Sequence, residues 1–261
     1  QELALRLRGL GFLQPGDHSP TIEADEEFAH EEDRNMEPFY VIERILRNRG
    51  GFFDEIREGD DLGRKTRNML IGAVLFFAIY GAVLGISNSL LQALSSAVKL
   101  PILYLITLAI CLPTLYFFNL LFGSRLTLAQ TFALIMTAIA VTAVLTLSCA
   151  PIALFFWLTA PNYQFYKLLN VGILTITGVA GLSFLWQGMR HVHEGKGMGV
   201  RNLILWIWIF VYGFVGTQMA WTLRPFFGAP GLPFEIFRNL GGNFYVNVLR
   251  SMVDLLISIV D

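Results

Sequence analysis

From about residue 69 onward the chain alternates long apolar runs with short polar breaks, and before that point the pattern is of a different kind. The runs predict transmembrane helices at about 69–90, 101–122, 126–150, 167–189 and 202–223. Each is roughly 20 residues or more, the length a helix needs to cross about 30 Å of hydrocarbon. The third apolar run extends from Leu126 to Ala160, too long for one straight crossing, and Pro151 is expected to divide it. The piece after the proline, "PIALFFWLTAP", reads as interfacial, with Trp157 and Tyr163 at headgroup depth. Pro113, near the middle of the second span, removes one backbone hydrogen bond and is expected to kink the helix. The fold class is therefore all-α: a polytopic helical membrane protein of five transmembrane helices, with amphipathic interfacial helices at both ends.

The flanks carry helical periodicity of another sort. In residues 36–67, Phe39, Ile42, Ile45 and Leu46 recur at helical spacing opposite Glu43, Arg44 and Arg47. Gly50-Gly51 is expected to break that helix, and Phe52, Phe53 and Ile56 then face away from Asp54, Glu55, Arg57 and Glu58. Such a juxtamembrane unit lies on the membrane surface, apolar face down, or docks on a partner. At the other end, 224–261 forms an aromatic hinge and a tail helix. Arg250 and Asp254, one turn apart, oppose burial in mid-bilayer, which makes the tail interfacial rather than a sixth span. Residues 1–35 are a polar leader containing "TIEADEEFAHEEDRN", with seven carboxylates, one arginine and no apolar face; it reads as flexible. The sequence begins at Gln1 without a signal-peptide pattern, and Met36 is an alternative start.

Composition supports the class: 54% of residues are hydrophobic and only 15% charged, against about 25% charged in soluble domains. Between Asn68 and Met189 the only charged residues are Lys99, Arg125 and Lys167. Orientation follows from lysine and arginine near the span ends. Eight of these (Arg57, Arg64, Lys65, Arg67, Arg125, Arg190, Lys196, Arg201) fall on the amino-terminal side, and four (Lys99, Lys167, Arg224, Arg238) on the other. The expectation is a multi-pass protein of the cell (inner) membrane, amino end cytoplasmic.

Candidate chemistry is sparse. The span cores contain no Asp, Glu, Lys, Arg or His, which argues against proton pumps and ion-coupled transporters. Asn119, Gln130, Asn170, Gln187, Thr217 and Gln218 read as interhelical hydrogen-bonding groups. His191, His193 and Glu194 in "RHVHEGKGMGVR" lack the further ligands a metal site needs, so that loop reads as basic and flexible. Cys111 and Cys149 lie in apolar runs and read as buried small hydrophobes. No catalytic, cofactor-binding or metal residues are assigned, no nucleic-acid partner is expected, and the chain is not expected to be an enzyme. Gly81-x-x-x-Gly85, and Gly178 with Gly181, are candidate helix-packing positions. The stretch "WTLRPFFGAPGLPFEIFRNLGGNFY" offers Trp221, Arg224, Phe226, Phe227, Phe234 and Phe237 as candidate contacts to a partner or to lipid.

Two further motifs, "DDLGRK" ending at Lys65 before the first span and "FGSRLTLAQTF" (Phe122–Phe132) between spans two and three, together with Pro151 late in span three, carry a resemblance. Over roughly Asp61 to Phe227 the chain resembles a bacterial relative of the Yip-type (Rab-interacting) membrane proteins. That resemblance implies five spans after a polar cytoplasmic amino-terminal region, an adaptor or membrane-organising role, and no catalytic residues. The function expected is a non-catalytic membrane subunit or scaffold that binds other membrane proteins, as a hetero- or homo-oligomer, in and beside the bilayer. The alternative is a passive channel or permease for a neutral or lipid-like substrate.

Overall fold

The computed structural model describes residues 41–59, 61–121, 126–160, 162–192, 198–228, 234–237 and 242–260. The leader 1–35 and the loop His193–Gly197 lie outside the described residues. The described residues form helices and no strand. They are α1 (41–47), α2 (Arg49–Glu58), α3 (Leu62–Ile86), α4 (Leu90–Leu121), α5 (Leu128–Ser148), α6 (Ala150–Thr159), α7 (Tyr163–Val192), α8 (Met198–Thr222) and α9 (Phe244–Val260).

Among the described residues, four stretches are long and apolar enough to cross a membrane: Leu62–Ile86, Leu90–Phe118, Leu128–Thr159 and Tyr163–Val192. The second begins earlier than the apolar run alone suggests. α4 has 32 residues and continues through both Pro101 and Pro113, so Lys99 sits inside a helix rather than in a loop before it. Pro151 marks the division of the third run, as expected: α5 ends at Ser148 and α6 starts at Ala150, although the two together make one candidate span. The proline occupies the first turn of α6, where its missing N–H costs nothing, and Cys149 between α5 and α6 keeps helical backbone angles. The sequence from Leu128 to Thr159 is thus one apolar stretch interrupted at Cys149, with Ile152, Phe155 and Leu158 exposed. At its start Thr127 and Gln130 form a reciprocal capping box.

Glycines set the closest approaches. A Cβ on Gly81 would lie 2.3 Å from the Ser96 carbonyl oxygen, and one on Gly85 2.4 Å from that of Gln92, so α3 and α4 touch backbone to backbone. Gly181 admits Thr142 and Ala138 of α5 in the same way, its Cβ falling 1.9 Å from Thr142 Oγ1. Buried polar bonds tie the helices further. Tyr80 donates to Asn170 Oδ1 at 2.8 Å, Asn170 Nδ2 donates to the Tyr166 carbonyl, and Thr146 and Thr177 pair at 2.9 Å. Lipid cannot solvate such groups, so the two interhelical bonds, Tyr80–Asn170 and Thr146–Thr177, also fix rotation about the helix axes.

The apolar faces of α1 and α2 are buried against this chain's own helices. Phe52, Phe53 and Ile56 are 1%, 3% and 0% exposed, with α2 against α7 and α5. The break between α1 and α2 is at Asn48, whose side chain caps α2 by accepting from Gly51 N, while Gly50 and Gly51 are helical. The polar face is tied down too: Glu55 pairs with Arg44 and with Lys65 (2.9 Å), and Asp54 Oδ1 lies 3.0 Å from His191 Nε2. Phe53→Ala is expected to cost about 3–5 kcal/mol locally. It should raise amide exchange over 41–58 while leaving α3–α5 protected. Unchanged exchange there would mean that Phe53 contributes nothing to the dock.

Candidate functional site

The long helices pack in the order α7, α5, α3, α4, α8, an arc rather than a closed ring. α7 and α8 follow one another in the chain yet, among the described residues, do not pack along each other. Between them lies a cleft of about 540 Å³, within the range of about 300–1,000 Å³ that small-molecule sites occupy. Gly178 faces this space, not a helix: a Cβ added there meets nothing within 4 Å, and the same is true of Gly213 opposite on α8. Gly178 therefore differs from Gly181 only three positions away, and the helix-packing expectation does not apply to it.

Four threonines along the cleft are turned back on their own helices. Thr107, Thr142, Thr175 and Thr217 donate to the carbonyls of Leu103, Ala138, Val171 and Phe214 in their own helices. Trp208, fully buried, donates from Nε1 to the Cys111 carbonyl across to α4 at 3.1 Å. With those donors committed, the threonine methyls and the Leu, Ile and Val side chains dominate what an occupant meets. The wall is chemically apolar.

One end of the cleft is covered by residues 224–228, reached through the cis peptide Arg224–Pro225. This lid is held through its carbonyls. Gln92 Nε2 donates to Pro225 O at 2.8 Å and Ser96 Oγ to Phe226 O at 2.5 Å. Tyr163 donates to Gly228 O at 2.8 Å. Lys99, only 5% exposed, donates to Pro225 O at 3.3 Å and also to Ile236 O. Gly228 has φ 69° and its Cβ would fall 2.2 Å from Asn88 Nδ2, so the turn requires glycine there. Phe226 is buried, Phe227 meets Tyr166 edge-on, and the Arg224 guanidinium stacks over the Trp221 ring at 3.5 Å. Of the six residues proposed as outward contacts, Phe234 and Phe237 are exposed; the other four belong to the lid or the cleft rim.

α9 bridges the two sides of the gap, touching α7 and α8. It faces inward with polar groups: Asn247 Oδ1 and Ser251 Oγ each accept from Lys167 Nζ at 2.6 Å, and Asp254 accepts from Gln164 at 3.4 Å. Its apolar residues Val246, Leu249, Val253 and Leu256 point outward and are exposed. This is the reverse of a tail helix packed in water, and it suits a helix whose outer surroundings are hydrocarbon.

Elsewhere, Asn170 makes an interhelical bond as the sequence suggests, and Gln187 accepts from Arg49 of α2. Gln130 donates to the Arg57 carbonyl, and Thr217 pairs with Tyr245 of α9. Cys111 and Cys149 are free thiols, the first buried. Among the described residues no group of three or more His, Cys, Asp or Glu stands together. Lys99, Tyr163, Lys167 and Gly213 do not stand out in the sequence as site residues. The available signal is that both lysines fall within a helical turn or two of an apolar run.

Arc, cleft and lid together define an all-helical membrane protein with a lateral opening between two consecutive helices. No protein-family model, curated protein or solved structure matches this chain.

Proposed function

We propose that this chain is a five-span integral membrane protein without catalytic chemistry, α8 being the fifth span, that holds an apolar or amphiphilic molecule between α7 and α8. One observation carries the reading: two consecutive long helices leave an apolar cleft of about 540 Å³ unpacked between them. Held apart in water, such walls would lose the hydrophobic gain of closing; in a bilayer, lipid-like matter fills them. α8, with 25 residues, spans about 37 Å, and its Trp206 and Phe210 are exposed as lipid-facing aromatics would be. On this reading the alternative expectation, a passive channel or permease for a neutral or lipid-like substrate, fits better, in its lipid-like form, than a pure scaffold. Purified in mild detergent, the protein is expected to retain a bound amphiphile detectable by mass spectrometry. Gly178→Phe and Gly213→Phe, each placed in open space, should keep the bundle folded and displace most of it. Equal retention by wild type and both variants would sink the proposal.

A second reading keeps the adaptor role that the Yip-type resemblance implies, at the cell membrane with the amino end cytoplasmic. Its support is the exposed trio Phe234, Ile236 and Phe237 beyond the lid, with Lys99 beneath the Phe237 ring at 5.1 Å. Rigid aromatics beside a cation suit a protein contact. Here the native mass after gentle extraction decides; a monomer without any stable partner ends this reading.

A further inference from the structure

Several tyrosines of this fold spend their hydroxyls on the protein itself. Tyr80 donates to Asn170, Tyr163 to the Gly228 carbonyl and Tyr166 to the Val83 carbonyl, and Tyr245 pairs with Thr217. Tyr104 and Tyr212 do not. Both line the cleft, one from α4 and one from α8, and neither hydroxyl has a hydrogen-bond partner among the described residues. Their rings are nonetheless held. Tyr104 stacks on Phe77 with centroids 4.0 Å apart, and Tyr212 tilts against Trp208 at 5.2 Å. A phenolic oxygen lies in the plane of its ring, so a held ring fixes where the hydroxyl stands. The two hydroxyls are close enough to act on each other electrostatically.

Depth decides what can meet them. Ser96 holds the lid, and Tyr104 lies eight residues further along α4, about 12 Å of helix. Tyr212 stands ten residues short of the end of α8 at Thr222, about 15 Å, or roughly half of a hydrocarbon core. With α8 as a span, the pair therefore sits near mid-membrane. A hydroxyl without a partner there is costly, and lipid tails offer it nothing. Water needs several polar partners to stay, and the threonines of the cleft are committed to their own carbonyls. A phospholipid with its headgroup at the lid presents only methylenes at this depth.

Resting on the reading of the cleft as a site for an apolar or amphiphilic molecule, we infer that the occupant is a neutral lipophile with a carbonyl oxygen set within its apolar body, which accepts hydrogen bonds from Tyr104 and Tyr212. A carbonyl oxygen has two lone pairs and no proton of its own, so it satisfies donors without adding one. Quinones and long-chain ketones share this chemistry. A quinone also brings a flat ring to the aromatic wall that Trp208 and Tyr212 form.

The test uses the full chain in phosphatidylcholine nanodiscs loaded with one of three probes. These are decylbenzoquinone, a straight-chain ketone of equal carbon number, and decylbenzene, which keeps ring and tail but has no carbonyl. The protein is extracted gently, and the probe it retains is measured against that probe's share of the bilayer. A carbonyl probe is expected to be retained above decylbenzene, and the better held of the two names the source. Tyr104→Phe and Tyr212→Phe keep the rings and their stacking. Each should weaken retention of that probe about fivefold, and the double variant about thirtyfold, with decylbenzene held as in wild type. The infrared carbonyl stretch of the bound probe should fall in wild type and return toward its free value in the double variant, which a purely structural role for the tyrosines would not produce. Equal retention of carbonyl and hydrocarbon probes, or a double variant that holds the carbonyl probe as wild type does, overturns the carbonyl assignment and leaves the cleft reading standing. No probe retained above its bilayer share, or retention that Gly178→Phe and Gly213→Phe leave unchanged, overturns both.

Discussion

Gly85→Leu is expected to take the α3–α4 pair apart, with a loss above about 3 kcal/mol and a bundle that aggregates on extraction. The reason is the identity of the neighbouring atoms. A Cβ on Gly85 falls 2.4 Å from the Gln92 carbonyl oxygen and 2.6 Å from Ala93 Cα, both backbone, so no rotamer change can relieve the clash. The helices must separate, and with them go the close dispersion contacts that hold membrane helices together when lipid is as apolar as the side chains. Gly81→Leu, with the Ser96 carbonyl oxygen 2.3 Å away, should behave alike. Gly172→Leu on α7, where a Cβ meets nothing within 4 Å, is the control expected to be near neutral. The measurement is thermal unfolding in detergent followed by size-exclusion. If Gly85→Leu melts like wild type, the backbone contact is not what holds α3 to α4.

Lys99→Met should open the lid and leave the bundle intact. Lys99 is buried, with its ammonium directed to the carbonyls of Pro225 and Ile236. Methionine keeps much of the stem length and removes the charge, so the desolvation cost of a buried ammonium disappears along with its bonds. The bundle's melting point should therefore hold or rise slightly. The lid loses bonds to a charged donor worth about 1.5–3 kcal/mol each, and should populate the open form about tenfold more or beyond. Chymotrypsin, cutting after Phe226 or Phe227, reports that opening. Equal cleavage rates in the two proteins would count against Lys99 as the tie, leaving Gln92, Ser96 and Tyr163 to hold the lid alone.

Much of the architecture was legible before any coordinates. Apolar runs with three charges between Asn68 and Met189 leave a helical membrane protein as the answer, because a backbone in hydrocarbon must satisfy its own hydrogen bonds. The Gly81-x-x-x-Gly85 spacing also pointed to a close helix contact, since two small residues one turn apart clear one face of a helix. Local pattern was a poorer guide where the partner of a residue lay far along the chain. Phe52, Phe53 and Ile56 read as an amphipathic face with an unnamed partner, and periodicity cannot distinguish a bilayer from α7. Lys99 and Lys167 read as charges near span ends, marking a side of the membrane. In the fold they lie inside α4 and α7, bonded to residues more than 60 positions away.

Gly178 and Gly181 show the division in its simplest form. Sequence by itself determined that both are small residues on one helix, and that this helix is long and apolar enough to span. Only the tertiary structure decided that Gly181 is filled by Thr142 and Ala138 while Gly178 opens onto the cleft. A hundred degrees of rotation per residue puts positions three apart on neighbouring but distinct lines of the helix surface. Which line meets a neighbour depends on where α5 and α8 come to rest, and that is set by contacts no local window of sequence contains.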